Sequence, residues 1–151
     1  MKRLVIIGAG RLGKGFIGET FSNANWNIIF IDHDKDVVEN LNKYGSYIVT
    51  VHRVDRIDEH KVDNYKAYTW NDKEADEAVA NADLIMMPIY PEDFSKAFRD
   101  MEKGLEYRFK NDPEHLLSIV CLTNKNHLIN EFYKEKTLSK SDDYIEWLDT
   151  H

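Results

Sequence analysis

The chain of 151 residues has few of the residues that mark several classes of protein. It contains one cysteine, Cys121, so it forms no internal disulfide, which is typical of a reducing compartment such as the cytoplasm. Three prolines and seven glycines form no stretch dense enough to indicate a linker between domains. Residues 1–151 therefore predict one domain of ordinary size, and we expect a cytoplasmic location.

Long apolar runs and an excess of positive charge are also missing. No stretch of about 18 apolar residues is present, so the sequence predicts no membrane partner. The 27 acidic residues outnumber the 20 lysines and arginines, and the net charge of −7 would repel a phosphate backbone. We therefore expect no nucleic-acid partner. The six histidines form no metal-binding pattern, so we expect no metal site.

The most informative stretch is a cluster of glycines directly after the first apolar run. Residues 3–7 are almost entirely apolar, which indicates a strand buried on both faces in a parallel sheet. Gly8-x-Gly10-x-x-Gly13 follows, and residues 11–25 then have apolar side chains at helical spacing. In a dinucleotide-binding turn, such glycines allow a tight turn, a close approach of the backbone to the pyrophosphate, and contact between helix and strand.

An acidic residue stands where that turn needs one. A second predicted strand, residues 27–31, ends at Asp32, roughly 20 residues after Gly13. A carboxylate there accepts hydrogen bonds from the adenosine ribose hydroxyls and repels the additional phosphate of NADP. His33 and Asp34 offer no arginine that would reverse this preference. The spacing therefore favours NAD(H) as the cofactor.

The remaining pattern predicts an α/β fold of the Rossmann type, with a doubly wound, mostly parallel sheet in a single domain. Two alternating segments, residues 46–54 and 62–70, predict an inserted β-hairpin joined by polar residues 55–61. Residues 104–114 are charged and predict a loop. Further strands are predicted at residues 83–87 and 116–122, and helices at residues 35–43, 72–80, 91–101, 125–133 and 142–148.

The residues predicted to bind the cofactor from this pattern are Gly8, Ala9, Gly10, Arg11, Leu12, Gly13, Asp32 and His33. Alternatives remain open at this point. The glycines could serve packing alone in a domain that binds nothing, and Asp32 could be a helix N-cap or a solvated acid in a turn. Gly15 and Gly18 are not explained by the pyrophosphate turn, and they require either close helix packing or an approach to the rest of a cofactor site.

The longer motif GAGRLGKGFIG, residues 8–18, resembles the opening of the polyol-specific long-chain dehydrogenases, most closely of the mannitol-1-phosphate 5-dehydrogenases. In that family a basic residue, here Lys14, precedes Gly-Phe-Ile-Gly. Ile31-Asp32, Ser46-Tyr47-x-Val49 and LSIVCLTN also resemble family segments. The similarity covers roughly the whole chain, but only the front half of a family protein.

This resemblance implies the NAD-binding half of an oxidoreductase that moves hydride between a polyol or polyol phosphate and NAD. It adds two cofactor-binding residues, Ile89 in the loop on the nicotinamide side and Asn124, which matches the end of the family's Cys-Glu-Asn motif. Tyr90 departs from the small residues that the family has in that loop.

The family places its catalytic lysine, asparagine and histidine in a helical C-terminal domain, which the resemblance implies would begin near His151. We therefore expect no catalytic residue in this chain and no turnover by it alone. The face toward that domain is expected to be apolar, with Trp147, Leu148 and residues 86–90 as candidates, and such a patch favours a homodimer.

Two other functions compete with this one. Regulatory domains of potassium transporters are short Rossmann domains with a similar glycine turn, and they sense a nucleotide without chemistry. The inserted segment 46–70 argues against a sensor, because a minimal sensor would continue directly into its third strand. A Rossmann domain that has lost its ligand and serves in assembly is the third alternative.

Overall fold

The computed structural model describes residues 1–123 and 140–150. Its main sheet is parallel and contains five strands in the spatial order β5-β2-β1-β6-β7. These strands are β1 (Arg3–Ile7), β2 (Asn27–Ile31), β5 (Tyr65–Tyr68), β6 (Leu84–Met87) and β7 (Ser118–Cys121). The other two, β3 (Tyr47–His52) and β4 (Ile57–Val62), form a separate antiparallel hairpin.

Along the chain, the described helices lie between these strands, except the last one, which follows β7. The first, which we call the glycine helix (residues 11–23), contains a π-helical turn at Gly13–Gly18 and then α1 (Glu19–Asn23). The others are α2 (Lys35–Tyr44), α3 (Lys73–Ala80), α4 (Phe94–Asn111), which follows a 3-10 turn at Pro91–Asp93, and α5 (Asp142–Thr150).

The central strand β1 is buried on both faces, and its alternate side chains enter two different cores. Leu4 and Ile6 pack in one cluster with residues of the glycine helix and α2. Val5 and Ile7 pack in the other with residues of α3 and α4. Since side chains alternate across a strand, this division places helices on both faces of the sheet. The prediction of a doubly wound Rossmann-type domain with an inserted hairpin is confirmed.

The hairpin differs from its prediction in where its second strand lies. Residues 55–61, predicted as the polar connection, contain most of β4, which pairs with β3 so that Thr50 faces Glu59. The predicted strand at 62–70 is divided, and β5 joins the main sheet parallel to β2. The charges of β4 concealed the strand, because side chains of an exposed hairpin are free to be polar on the solvent face.

The predicted loop at residues 104–114 is also wrong, because α4 continues to Asn111. Gly104 lies where this helix contacts α3, and a Cβ there would be 2.7 Å from Val79 Cβ. Leu105 and Arg108 are buried, whereas Glu106 between them is half-buried and Lys110 is exposed. The segment is thus an amphipathic helix whose high charge belongs to its solvent face.

Arg108 is the one charged residue that is fully buried in the described part of the chain. Its guanidinium donates only to backbone carbonyl groups at the end of α3 and before β7. The acceptors are Ala80 (2.9 Å), Ala82 (2.8 Å), His115 (3.1 and 2.7 Å) and Leu116 (3.0 Å). All five N–H groups of the side chain therefore have an acceptor.

The predicted apolar face is wrong for two of its candidates. Trp147 is buried beside Phe109 and Tyr144, and its indole N–H donates to the carbonyl of Pro113 at 2.7 Å. Met87 is also fully buried.

The predicted helix at 125–133 lies outside the described residues. Among the described helices, none has the length and apolar character needed to cross a membrane.

Candidate functional site

The direction of the chain through the sheet reverses between β1 and β6. From β1 the chain adds β2 and β5 on one side, and it later adds β6 and β7 on the other. In doubly wound sheets, ligands bind in the crevice at the carboxyl ends of the strands at such a point. Here those ends carry the glycine turn after β1, Asp32 after β2 and Ile89 after β6. The structure therefore places the glycine turn, Asp32 and Ile89 at the same edge of the sheet.

Each glycine of the turn has a different structural reason. Gly8 has φ of 105°, which other residues rarely adopt, and its N–H donates to the Ile31 carbonyl at 2.8 Å. A Cβ at Gly8 would be 2.8 Å from Ile89 Cγ2, and one at Gly13 would be 2.3 Å from the Gly8 carbonyl oxygen. A Cβ at Gly10 would contact nothing within 4 Å. The protein itself therefore leaves the space at Gly10 unfilled.

Asp32 is held in place by backbone N–H groups of two loops, the one after β1 and the one after β2. Its Oδ2 accepts the Ala9 N–H at 2.7 Å, and its Oδ1 accepts the Asp34 N–H at 2.9 Å. The side chain is 11% exposed, so the carboxylate remains accessible at one edge. Since each carboxylate oxygen can accept two hydrogen bonds, both keep capacity for a further donor. The role of helix N-cap belongs to Asp34, which accepts the N–H groups of Asp36 and Val37.

The other turn residues lie at the surface around this carboxylate. Arg11 and Leu12 begin the glycine helix and are exposed, and the first N–H groups of a helix lack partners within it. His33 is 87% exposed in its side chain, with Nδ1 at 3.5 Å from Asp32 Oδ1. This edge thus combines free backbone donors with one anchored acceptor.

A cavity of about 460 Å³ opens next to His33, between α2 and the residues that follow β5. Its lining includes His33, Lys35, Asn42 and Thr69. Lys35 Nζ lies 3.2 Å from the Glu39 carboxylate, so the cavity carries no unbalanced positive charge from this residue.

The nicotinamide side of the predicted site is less complete. Ile89 contacts the glycine turn through Gly8, whereas Tyr90 is 74% exposed. Burial raises the pKa of Cys121 to about 11, so this thiol is protonated at neutral pH. Asn124 lies outside the described residues. In residues 1–123 and 140–150, no group of three or more potential ligands is placed to hold a metal ion.

Sequence analysis missed one pair of residues beside the turn. The hydroxyl of Tyr47, in the hairpin, donates to the Lys14 carbonyl at 2.9 Å. Gly18 leaves room for it, because a Cβ at Gly18 would lie 2.3 Å from that hydroxyl oxygen. The unexplained glycine and the tyrosine at the start of an alternating segment were the available signals. Close packing therefore explains Gly18, whereas a Cβ at Gly15 would meet nothing within 4 Å.

Comparison with known proteins agrees with this architecture. The family described as the mannitol dehydrogenase Rossmann domain matches residues 2–151. The mannitol-1-phosphate 5-dehydrogenase of Thermoanaerobacter pseudethanolicus is 30% identical over 151 residues, which cover 98% of this chain. That of Lactococcus lactis subsp. lactis is 32% identical over 152 residues, covering 94%. The chain spans 38% of the length of either relative.

A solved structure shows the same fold at low identity. The GDP-mannose dehydrogenase of Pseudomonas aeruginosa, solved as a ternary complex, aligns with a TM-score of 0.59 and 10% identity. The alignment covers 89% of this chain and 32% of that protein. A Rossmann domain of a dehydrogenase binds a nicotinamide dinucleotide at its glycine turn. The chain belongs to the mannitol dehydrogenase family, of which it is a Rossmann domain.

Proposed function

We propose that this chain is the cofactor-binding domain of a mannitol-1-phosphate 5-dehydrogenase-like oxidoreductase, and that it prefers NAD(H) to NADP(H). The observation that carries the proposal is the anchored Asp32 carboxylate beside the open backbone of Gly10. The carboxylate would accept hydrogen bonds from the hydroxyls of the adenosine ribose, and the cavity lined by the following residue, His33, would hold the adenosine end.

The 2′-phosphate of NADP would lie against that carboxylate. Asp32 is fixed by two N–H groups, so it cannot turn away without leaving two donors unpaired. The nearest lysine along the chain, Lys35, is already paired with Glu39. Repulsion of the additional phosphate therefore supports NAD(H).

The proposed contacts follow the course of a dinucleotide across the crevice. Asp32 and His33 would contact the adenosine ribose. Ile89 and Asn124 would lie toward the nicotinamide. The pyrophosphate would contact the turn formed by Gly8, Ala9, Gly10, Arg11, Leu12 and Gly13, where helix N-terminal amides favour negative charge.

The whole enzyme would move hydride between a carbon of a polyol phosphate and the nicotinamide. This chain would bind the cofactor but would contribute no catalytic acid or base, so we expect no oxidation of mannitol 1-phosphate by it alone. Both the family match and the hairpin between β2 and β5 favour this function over a nucleotide sensor. A homodimer stays a proposal, and sedimentation velocity over a range of concentrations tests it.

Calorimetric titration with NAD⁺, NADH and NADPH tests the binding proposal. We expect saturable binding of NAD⁺ and NADH and little binding of NADPH. Asp32→Ala should weaken NADH binding at least about tenfold, because the ribose loses its acceptor and the Ala9 N–H its partner. Asp34→Ala is the matched control, since it removes a nearby carboxylate that only caps α2. Equal losses in both variants, or equal affinity for NADPH, would contradict the proposal.

A further inference from the structure

The hairpin contacts the glycine helix through a tyrosine held in an aromatic cluster. Tyr47 is the first residue of β3, and its ring lies 6.3 Å from the ring of Phe30 and 5.4 Å from that of Tyr65. Its hydroxyl donates to the Lys14 carbonyl in the π-helical turn at 2.9 Å. The surrounding rings fix the direction in which this hydroxyl points.

The glycine helix is shaped to accept that hydroxyl. A Cβ at Gly18 would lie 2.3 Å from Tyr47 Oη and 3.1 Å from Phe30 Cζ. Glycine inside a helix is less favourable than alanine. The contact with Tyr47 therefore gives a structural reason for a residue that local helix stability disfavours.

Lys14, whose carbonyl accepts the Tyr47 hydroxyl, is also bonded through its N–H to the pyrophosphate turn. The Lys14 N–H donates to the carbonyl of Gly10 at 3.0 Å. Two successive hydrogen bonds thus lead from the hairpin to Lys14 and from Lys14 to Gly10. Of the three glycines in the pyrophosphate turn, Gly10 is the one at which a Cβ would meet nothing within 4 Å, and a dinucleotide would come closest to the backbone there.

The local geometry explains why an outside donor matters here. A π-helical turn closes its hydrogen bonds over five residues instead of four, and such turns are rare and concentrated at functional sites. Burial, with the nearby Tyr65 and Glu19, raises the pKa of Tyr47 well above its usual range. The hydroxyl therefore keeps its proton and stays a donor at neutral pH.

We propose that Tyr47 is a positioning residue for dinucleotide binding, whose hydroxyl holds Lys14 and, through it, the Gly10 peptide in the orientation that receives the pyrophosphate. This inference rests on the proposed function, since it assumes that the dinucleotide binds at the glycine turn. It assigns a purpose to the inserted hairpin, which lies outside the main sheet and holds the turn from the side.

The first test compares two tyrosines of the same cluster. Tyr47→Phe should raise the Kd for NADH about threefold to tenfold, because one hydrogen bond to the turn is lost. Tyr65→Phe is the matched control, since the Tyr65 hydroxyl donates to a carbonyl of α2, that of Leu41, at 3.0 Å. Both variants should lower the unfolding free energy by similar amounts, and only Tyr47→Phe should weaken NADH binding.

A second measurement needs no ligand. Hydrogen exchange of the Lys14 amide should be faster in Tyr47→Phe than in wild type, and unchanged in Tyr65→Phe. Unaltered NADH affinity in Tyr47→Phe, or equal losses in both variants, would overturn the positioning role. If wild type binds no dinucleotide, the proposed function fails. In that case, hydrogen exchange of the Lys14 amide still tests the contact between Tyr47 and Lys14. Faster exchange in Tyr47→Phe supports a role of Tyr47 in ordering the turn, and unchanged exchange refutes it.

Discussion

Two glycines in the same helical turn have very different surroundings. A Cβ at Gly15 would meet nothing within 4 Å, whereas one at Gly18 would be 2.3 Å from the Tyr47 hydroxyl oxygen. Neither has a positive φ, so backbone conformation does not require glycine at either position. Comparing the two positions therefore distinguishes two effects, the low helix propensity of glycine and the lack of space for a side chain.

Substituting each glycine by alanine should change stability in opposite directions. Gly15→Ala should raise the unfolding free energy by up to about 1 kcal/mol, because alanine favours the helix and the space is open. Gly18→Ala should lower it by about 1–3 kcal/mol, because the added methyl group displaces Tyr47 or Phe30. Urea denaturation of both variants measures this, and a loss of stability in Gly15→Ala would contradict it.

At the scale of single residues, the sequence predicted what depends on local spacing. The glycine turn and Asp32 were predicted because strand, turn and helix impose a fixed distance between them. Tyr47 was missed because its partner is a backbone carbonyl 33 residues away, and no side-chain pattern marks such an acceptor. The two backbone donors that anchor Asp32 were unpredictable for the same reason.

At the scale of elements, Arg108 joins the end of α3, the body of α4 and the approach to β7. Arg108→Met keeps much of the apolar stem but removes every donor to the carbonyls of Ala80, Ala82, His115 and Leu116. We expect the unfolding free energy to fall by about 3 kcal/mol or more, because buried carbonyl groups lose their partners.

Arg99→Met in the same helix is the control for this substitution. Its guanidinium is exposed and has one long contact, to Ser95 Oγ at 3.3 Å. This variant should stay within about 0.5 kcal/mol of wild type in urea denaturation. Similar small losses at both positions would show that water replaces the donors of Arg108.

The elements that were predicted wrongly share one property, which is a high content of charge. Both β4 and the second half of α4 were taken for connections because their polar residues outnumber their apolar ones. In each case the contact that decides the structure lies elsewhere in the chain, in β3 for the strand and at Val79 for the helix. Local composition cannot report such contacts.

At the scale of the whole molecule, the doubly wound, mostly parallel sheet was predicted from the alternation of buried strands and amphipathic helices. The position of the hairpin outside the sheet was not, since it depends on contacts with the glycine helix.

Asp83, one of the acidic residues that give the chain its net charge of −7, connects three parts of the sheet. It precedes β6 and bonds to the N-terminus of β1 and to the segment before β7. Its Oδ2 accepts the Arg3 N–H at 2.7 Å, and Oδ1 lies 2.9 Å from His115 Nε2.

This carboxylate predicts a dependence of stability on acid. Burial raises the pKa of Asp83, but hydrogen bonds from His115 and Arg3 outweigh it and lower the pKa below the ordinary 3.8. A lowered pKa in the folded state adds stability above about pH 4, which is lost as pH falls through the folded value. The difference in unfolding free energy between wild type and Asp83→Asn should therefore become smaller below pH 4.

Urea denaturation between pH 6 and pH 2.5 checks this prediction, at roughly half-unit steps around the carboxyl range. Asp55→Asn is the control, because that carboxylate is 75% exposed and its one ion pair, with Arg56, is 3.7 Å long. A gap for Asp83→Asn that stays constant with pH would show that its carboxylate is not stabilised by folding.

The contacts of Arg108 also constrain how the chain is made. Two of its acceptors, at Ala80 and Ala82, precede it in the chain, whereas those at His115 and Leu116 follow it. During synthesis from the N-terminus, the guanidinium leaves the ribosome with only part of its acceptors present. The guanidinium therefore cannot be buried with all of its acceptors, and β7 cannot pack beside β6 around it, until Leu116 has also emerged. Translation pauses before that residue should prolong a state in which α4 is solvated, whereas pauses after it should not.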